Sequence, residues 1–127
     1  MATLEDAAKI AMALAEVTEA RGGHRNNRHW DVAGKMFALS QLGADSLRVS
    51  LKCEPALAEA LRGAHAAVLP GYHLDKRHWN TVIIDGSLSD DAISDMIEDS
   101  YDLVVSKLPR ARRRALGWRG DPRRTGQ

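Results

Sequence analysis

Apolar residues recur at helical spacing along the start of the chain. Leu4, Ala7, Ala8, Ala11 and Leu14 fall on one stripe. Thr3 stands where an N-cap is needed, and Asp6 three residues on completes a capping-box pattern. A helix is expected over about Thr3 to Val17, closed off by Arg21-Gly22-Gly23. The period then shortens to two. His29-Trp30-Asp31-Val32 leads through Ala33-Gly34 into Lys35-Met36-Phe37-Ala38-Leu39-Ser40, the pattern of a hairpin with a small-residue turn. Gly43-Ala44-Asp45 supplies the next turn. Beyond it Leu47, Val49 and Leu51 alternate with Arg48, Ser50 and Lys52, so one face of this strand is expected to be core and the other wet and basic.

The second half repeats this change of period. Glu54-Pro55 opens a short helix carrying Leu57, Ala58 and Leu61 and stopped at Gly63, with Pro55 in the first turn, where its missing N–H costs little. A short extended piece from Ala66 to Leu69 precedes Pro70-Gly71, and a strand is expected over Trp79 to Ile84. Ser89 is the N-cap of a last helix whose first turn holds Asp90 and Asp91 at the positive end of the dipole. Its stripe is Ile93, Met96, Ile97, Tyr101, Val104 and Leu108, and Pro109 ends it. The order α-β-β-β-α-β-β-α, with no alternating βαβ units, predicts an α+β fold: a two-layer sandwich of one antiparallel sheet with helices on one face. Leu14, Phe37, Val49, Leu51, Ile97, Tyr101 and Val104 are expected to be buried.

Length and charge refine this picture. A chain of 127 residues suits one domain, taken here as residues 1–109, followed by a basic tail over 110–127 that is expected to be mobile. Lys and Arg balance Asp and Glu at eight each in residues 1–64. They number two against eight in 65–104, and eight against one in 105–127. An acidic segment thus runs directly into a basic one, which bears on partners more than on fold. One cysteine, Cys53, allows no internal disulfide and suits a reducing cytoplasm. No signal-peptide pattern opens the chain, and no apolar run approaches the roughly 20 residues that cross a bilayer. A cytoplasmic protein with no membrane partner is expected.

Three stretches carry a family resemblance. Pro70-Gly71-Tyr72-His73-Leu74-Asp75-Lys76-Arg77-His78-Trp79-Asn80-Thr81-Val82 is the longest, supported by Gly34-Lys35-Met36-Phe37-Ala38 on the hairpin and Ser100-Tyr101-Asp102-Leu103-Val104 on the last helix. Together they resemble the MmcQ/YjbR family, in that family's order, over about residues 3 to 108. The resemblance implies a compact sandwich related to the secretion-chaperone-like and frataxin-like arrangements. It also implies DNA binding through a double-wing arrangement. Many members have a proline near the end of the first helix where this chain has Val17-Thr18-Glu19, and the following loop is unusually polar and basic.

Candidate chemistry follows from residue type. Lys76 and Arg77 can neutralise phosphates, His73 and His78 flank them, and Trp79 either offers a stacking face or packs at a strand entrance. Lys35 at the hairpin turn could act as a wing, with Arg48 and Lys52 on the wet strand face; surface lysines on sheets also simply discourage edge pairing. Arg112, Arg113 and Arg114 lead the arginine-rich tail, and such runs bind phosphate without sequence preference. The histidines and Cys53 show no zinc-ligand spacing. No phosphate-cradling glycine loop, nucleophile elbow or catalytic triad is recognisable. The expectation is therefore a binding module, without catalytic residues, metal or cofactor, that holds nucleic acid, DNA first, by its phosphate backbone. The alternative is a protein- or peptide-interaction module using the sheet edge or face, without nucleic-acid binding. The oligomeric state is left open by the sequence.

Overall fold

The first helix, α1 (Leu4–Met12), is shorter than its apolar stripe suggests. Glu16 takes a left-handed φ of 61°, and the chain turns there into a strand, β1 (Val17–Gly22). Val17 and Thr18 are β-branched, poor at continuing a helix and well suited to a pleated surface. The expected helix to Val17 thus gives up its last part to a strand. That strand lies along all six residues of β2 (Asn27–Val32) in an unbroken antiparallel register. The computed structural model describes residues 4–22, 27–42, 47–71 and 74–117. Thr3, the turn at Gly43-Ala44-Asp45 and residues 118–127 lie outside the described residues.

The expected hairpin is present. β2 and β3 (Lys35–Leu42) are joined by Ala33 and Gly34 alone, with φ of 52° and 76°. Two successive positive φ values give the turn whose twist matches the flanking strands. β4 (Leu47–Lys52) follows, then helix α2 (Pro55–Ala64), the short strand β5 (Val68–Pro70) and strand β6 (Trp79–Ile83). α3 (Asp90–Ser106) is the long helix, capped by the Ser89 hydroxyl, which accepts from the Ala92 N–H at 3.1 Å. The six strands run β1-β2-β3-β4-β6-β5, each antiparallel to its neighbours.

Directly opposed residues in an antiparallel pair share a face, so the registers sort the side chains. Trp30, Val32, Ala38, Ser40, Val49, Leu51, Asn80, Val82 and Val68 line one face. Buried residues of α1 and α3 pack there with Phe37 to form the core: Ala7, Ala8, Ala11, Ile93, Ile97, Tyr101, Val104 and Val105. α2 joins the same layer through Ala58, whose carbonyl faces the Asn80 amide. The two-layer α+β sandwich read from the sequence is therefore correct. Leu14 is partly rather than fully buried, since it sits in the turn after α1.

Two expectations need correction. The face of β4 that carries Arg48, Ser50 and Lys52 is not simply wet. Ser50 is fully buried and bonds Thr81 across the strands at 2.8 Å, with Arg48 and Lys52 only half-exposed beside it. Long side chains on an open sheet lie over short neighbours and exclude water from them. The chain after Pro109 is also not simply a mobile tail. Arg110–Ala115 form helix α4, and Leu116 packs partly against the core. Arg and Ala are good helix formers, and Pro109 starts this turn as much as it ends α3.

Candidate nucleic-acid interface

The sheet topology decides which cations meet. β3 begins, β4 ends and β6 begins at the same end of the sheet, which brings Lys35, Lys52 and the turn at residues 74–78 to that end. Lys35 lies on the helix-covered face, opposite Val32, and Lys52 on the open face, opposite Trp79. With strands about 4.8 Å apart, β3 and β6 are separated by roughly 10 Å. The same end receives the C-terminus of α3, because the Tyr101 hydroxyl donates to the Ala15 carbonyl at 2.8 Å just ahead of β1. α4 follows directly. A cavity of about 410 Å³ between α4 and the β2–β3 turn is lined by Glu16, Thr18, Ala33, Gly34, Arg112 and Leu116.

The turn before β6 is built by local hydrogen bonds. The Asp75 carboxylate accepts from the Arg77 N–H at 2.9 Å, and the His78 N–H donates to the Asp75 carbonyl. The Cys53 N–H donates to the His78 carbonyl at 2.8 Å, which fastens the turn to the end of β4. Lys76 and Arg77 are exposed, and Lys76 Nζ also reaches the Gly71 carbonyl at 3.3 Å. Gly71 itself is required. A Cβ there would meet Trp79 Cβ at 2.7 Å, and the Gly71 N–H donates to the Trp79 carbonyl at 2.9 Å.

Of the residues singled out in the sequence, Lys35, Lys76, Arg77, Arg112 and Arg114 are exposed at this end, with Lys52 and His78 half-buried beside them. Arg113 turns inward and donates to the Ser106 carbonyl at 3.1 Å, closing the end of α3. Arg48 is set apart. It lies four residues up β4 from Lys52, about 13 Å away, with its Nε buried and no partner for it among the described residues. His73 lies outside the described residues. Trp79 is nine-tenths covered, so it packs rather than offering a stacking face. Arg62 was missed in the sequence: it donates to the Lys76 carbonyl at 2.9 Å and adds a cation to the same corner. Its signal was its place in the last turn of α2, pointing to the next loop.

Acidic residues are distributed differently. Asp90 and Asp91 open α3 at the far end of the sheet, and Asp95, Glu98, Asp99 and Asp102 follow along the helix. Glu16, Glu54 and Asp75 stand among the cations at the near end, where Asp75 is occupied with its own turn, and Asp99 lines a pocket beside Lys52. Among the described residues no three His, Cys, Asp or Glu side chains gather as metal ligands. No described helix is long and apolar enough to cross a membrane.

These features define an α+β sheet domain with one cationic end. The family model YjbR matches residues 12–103, and the chain belongs to the YjbR family. It is 43% identical over 81 residues to the uncharacterized protein YjbR of Escherichia coli K12, covering 64% of this chain and 69% of that one. It is 31% identical over 86 residues to the uncharacterized protein YyaQ of Bacillus subtilis, covering 64% and 71%. The crystal structure of DR2400 from Deinococcus radiodurans, a DUF419 domain, superposes with a TM-score of 0.86 at 34% identity. That match covers 94% of this chain and 91% of the other. A Pseudomonas syringae protein shares the fold at a TM-score of 0.68 and 23% identity, over 81% of this chain and 98% of its own.

Proposed function

We propose that this protein binds nucleic acid, DNA first, by its phosphate backbone at the cationic end of the sheet. The observation that carries the reading is the convergence of separate segments. The β2–β3 turn with Lys35, the end of β4 with Lys52, the turn with Lys76 and Arg77, and α4 with Arg112 and Arg114 all come to one end. Exposed cations on turns can follow a phosphate backbone without reading base edges, so binding is expected to tolerate sequence. The two turns flanking Lys52 supply the wing-like projections implied by the family resemblance. Arg48 and Trp79 play no part in this contact. The role asks for no catalytic group and no cofactor.

The test is fluorescence anisotropy of the full chain with duplex and single-stranded oligonucleotides across a salt series. Lys35→Ala, Lys76→Ala and Arg77→Ala combined should weaken binding to all sequences alike. It should also flatten the slope of log affinity against log salt by about 2–3, one counterion per lost contact. No measurable binding by the unaltered chain at low salt would overturn the reading.

A further inference from the structure

The two edges of the sheet are finished differently. β5 is three residues long and ends in Pro70, which cannot donate to a further strand, so that edge is blunted by length and by sequence. β1 is six residues long, has no proline, and keeps an unbroken register with β2. Thr18, Glu19 and Ala20 are all exposed, although they point alternately to the two faces. A regular strand of this length with an outward row of N–H and C=O groups is a template for another strand.

The charge pattern selects the occupant. Set antiparallel against its own copy, β1 can be centred on Glu19, Ala20 or Arg21. Centring on Glu19 or on Arg21 puts like charges directly opposite one another, which is destabilising. Centring on Ala20 puts Glu19 opposite Arg21 of the second copy, twice by symmetry, with Ala20 opposite Ala20 and Thr18 opposite Gly22. Glu19 is already held at this edge, where Oε1 accepts from Arg28 at 2.7 Å and from the Trp30 indole at 2.9 Å. A carboxylate fixed in this way has little side-chain entropy left to lose on pairing.

We infer that the protein forms a two-fold dimer in which β1 pairs with β1 of a second copy, in the register centred on Ala20. The two six-stranded sheets then run on as one, with their uncovered faces on the same side. A strand edge of about 20 Å is a small contact beside the roughly 800 Å² per partner of a stable interface, so dimerisation depends on concentration. The inference does not rest on nucleic-acid binding.

Sedimentation velocity on the full chain, from low micromolar to several hundred micromolar, tests it with two single variants. The unaltered chain should shift from monomer toward dimer as concentration rises. Ala20→Lys sets two lysines opposite each other across the two-fold, and Ala20→Glu sets two glutamates; each alone should weaken the dimer several-fold. Mixed in equal amounts, the two variants should recover it, because lysine then faces glutamate. Circular dichroism melts of both variants check that the exposed substitution leaves the fold intact. A chain that stays monomeric throughout, an Ala20→Lys protein that dimerises like the original, or a mixture that recovers nothing would each overturn the proposal.

Discussion

Ser100 shows how one hydroxyl can hold a sheet together. Between Trp30↔Ala38 and Asp31↔Met36 the β2–β3 register slips by one residue, leaving Phe37 as an extra residue in β3. Its carbonyl is met by the Ser100 hydroxyl, whose oxygen in turn accepts from the Lys52 N–H at 2.8 Å. Ser100, fully buried, therefore bridges β3 and β4 where their own pairing stops at Ala38↔Leu51. Ser100→Ala would strand two backbone groups and should cost about 1–3 kcal/mol, measured by urea unfolding. Neighbouring Tyr101 meets Phe37 edge-on, ring centroids 5.6 Å apart. Burial first, then the charges of Asp102 and Glu16, raise its pKa above the ordinary value of 10.0. The unfolded chain releases that proton at lower pH than the folded one. The contribution of the neutral phenol is thus complete below about pH 10 and is lost as pH rises through the higher folded value. Thermal melts should fall across that alkaline window, and Tyr101→Phe should flatten the fall. The bulge also marks a limit of sequence reading. Phe37 and Ala38 are adjacent and both apolar and buried, so β3 shows no clean alternation of residue type. On β4, by contrast, Val49 and Leu51 alternate with polar residues, even though Ser50 between them is buried too.

Elements with their own local signals were legible, and those that depend on a neighbour were not. α2, α3, β4 and the Ala33-Gly34 turn follow from capping, proline placement and periodicity. β1 does not, because Val-Thr-Glu-Ala-Arg-Gly becomes a strand only against β2, and the helical stripe before it runs on through Leu14. α4 was hidden by its charge. An arginine run reads as solvated, although Pro109 and good helix formers were present. The candidate site divided in the same way. Residue type marked the cations, but only the strand order shows that Lys35 and Lys76 share an end and that Arg48 does not. α4 gives a test at this scale. Ending the chain after Pro109 removes partly buried Leu116 and the Arg113 bond to Ser106. It should lower stability by about 1–2 kcal/mol and also weaken nucleic-acid binding with a shallower salt dependence. A truncated chain with full stability would show that α4 does not pack on the domain in solution.

At the scale of the whole molecule, a net charge of +1 conceals a long helix that is acidic from its first turn to Asp102 and runs into the cationic end of the sheet. α3 begins with Asp90 and Asp91 at one end of the sheet and reaches Asp102 near the cationic end, one residue from Tyr101 and its contact to Ala15. At a rise of 1.5 Å per residue, Asp91 and Asp102 are about 16 Å apart. Screening turns that distance into a measurable contrast, since the Debye length is about 8 Å at physiological salt and about 30 Å at 0.01 M. If phosphates sit at the cationic end, Asp102→Asn relieves repulsion there and should tighten binding under both conditions. Asp91→Asn, two Debye lengths further off, should tighten it only at low salt and leave it unchanged at physiological salt. Both substitutions keep the shape of the side chain, both positions are at least partly exposed, and thermal melts of the two variants check that the fold is retained. Anisotropy titrations of the two variants at the two salt concentrations give four ratios to the unaltered chain. Equal effects of the two variants at physiological salt would mean that the bound phosphates are not concentrated at that end of the sheet.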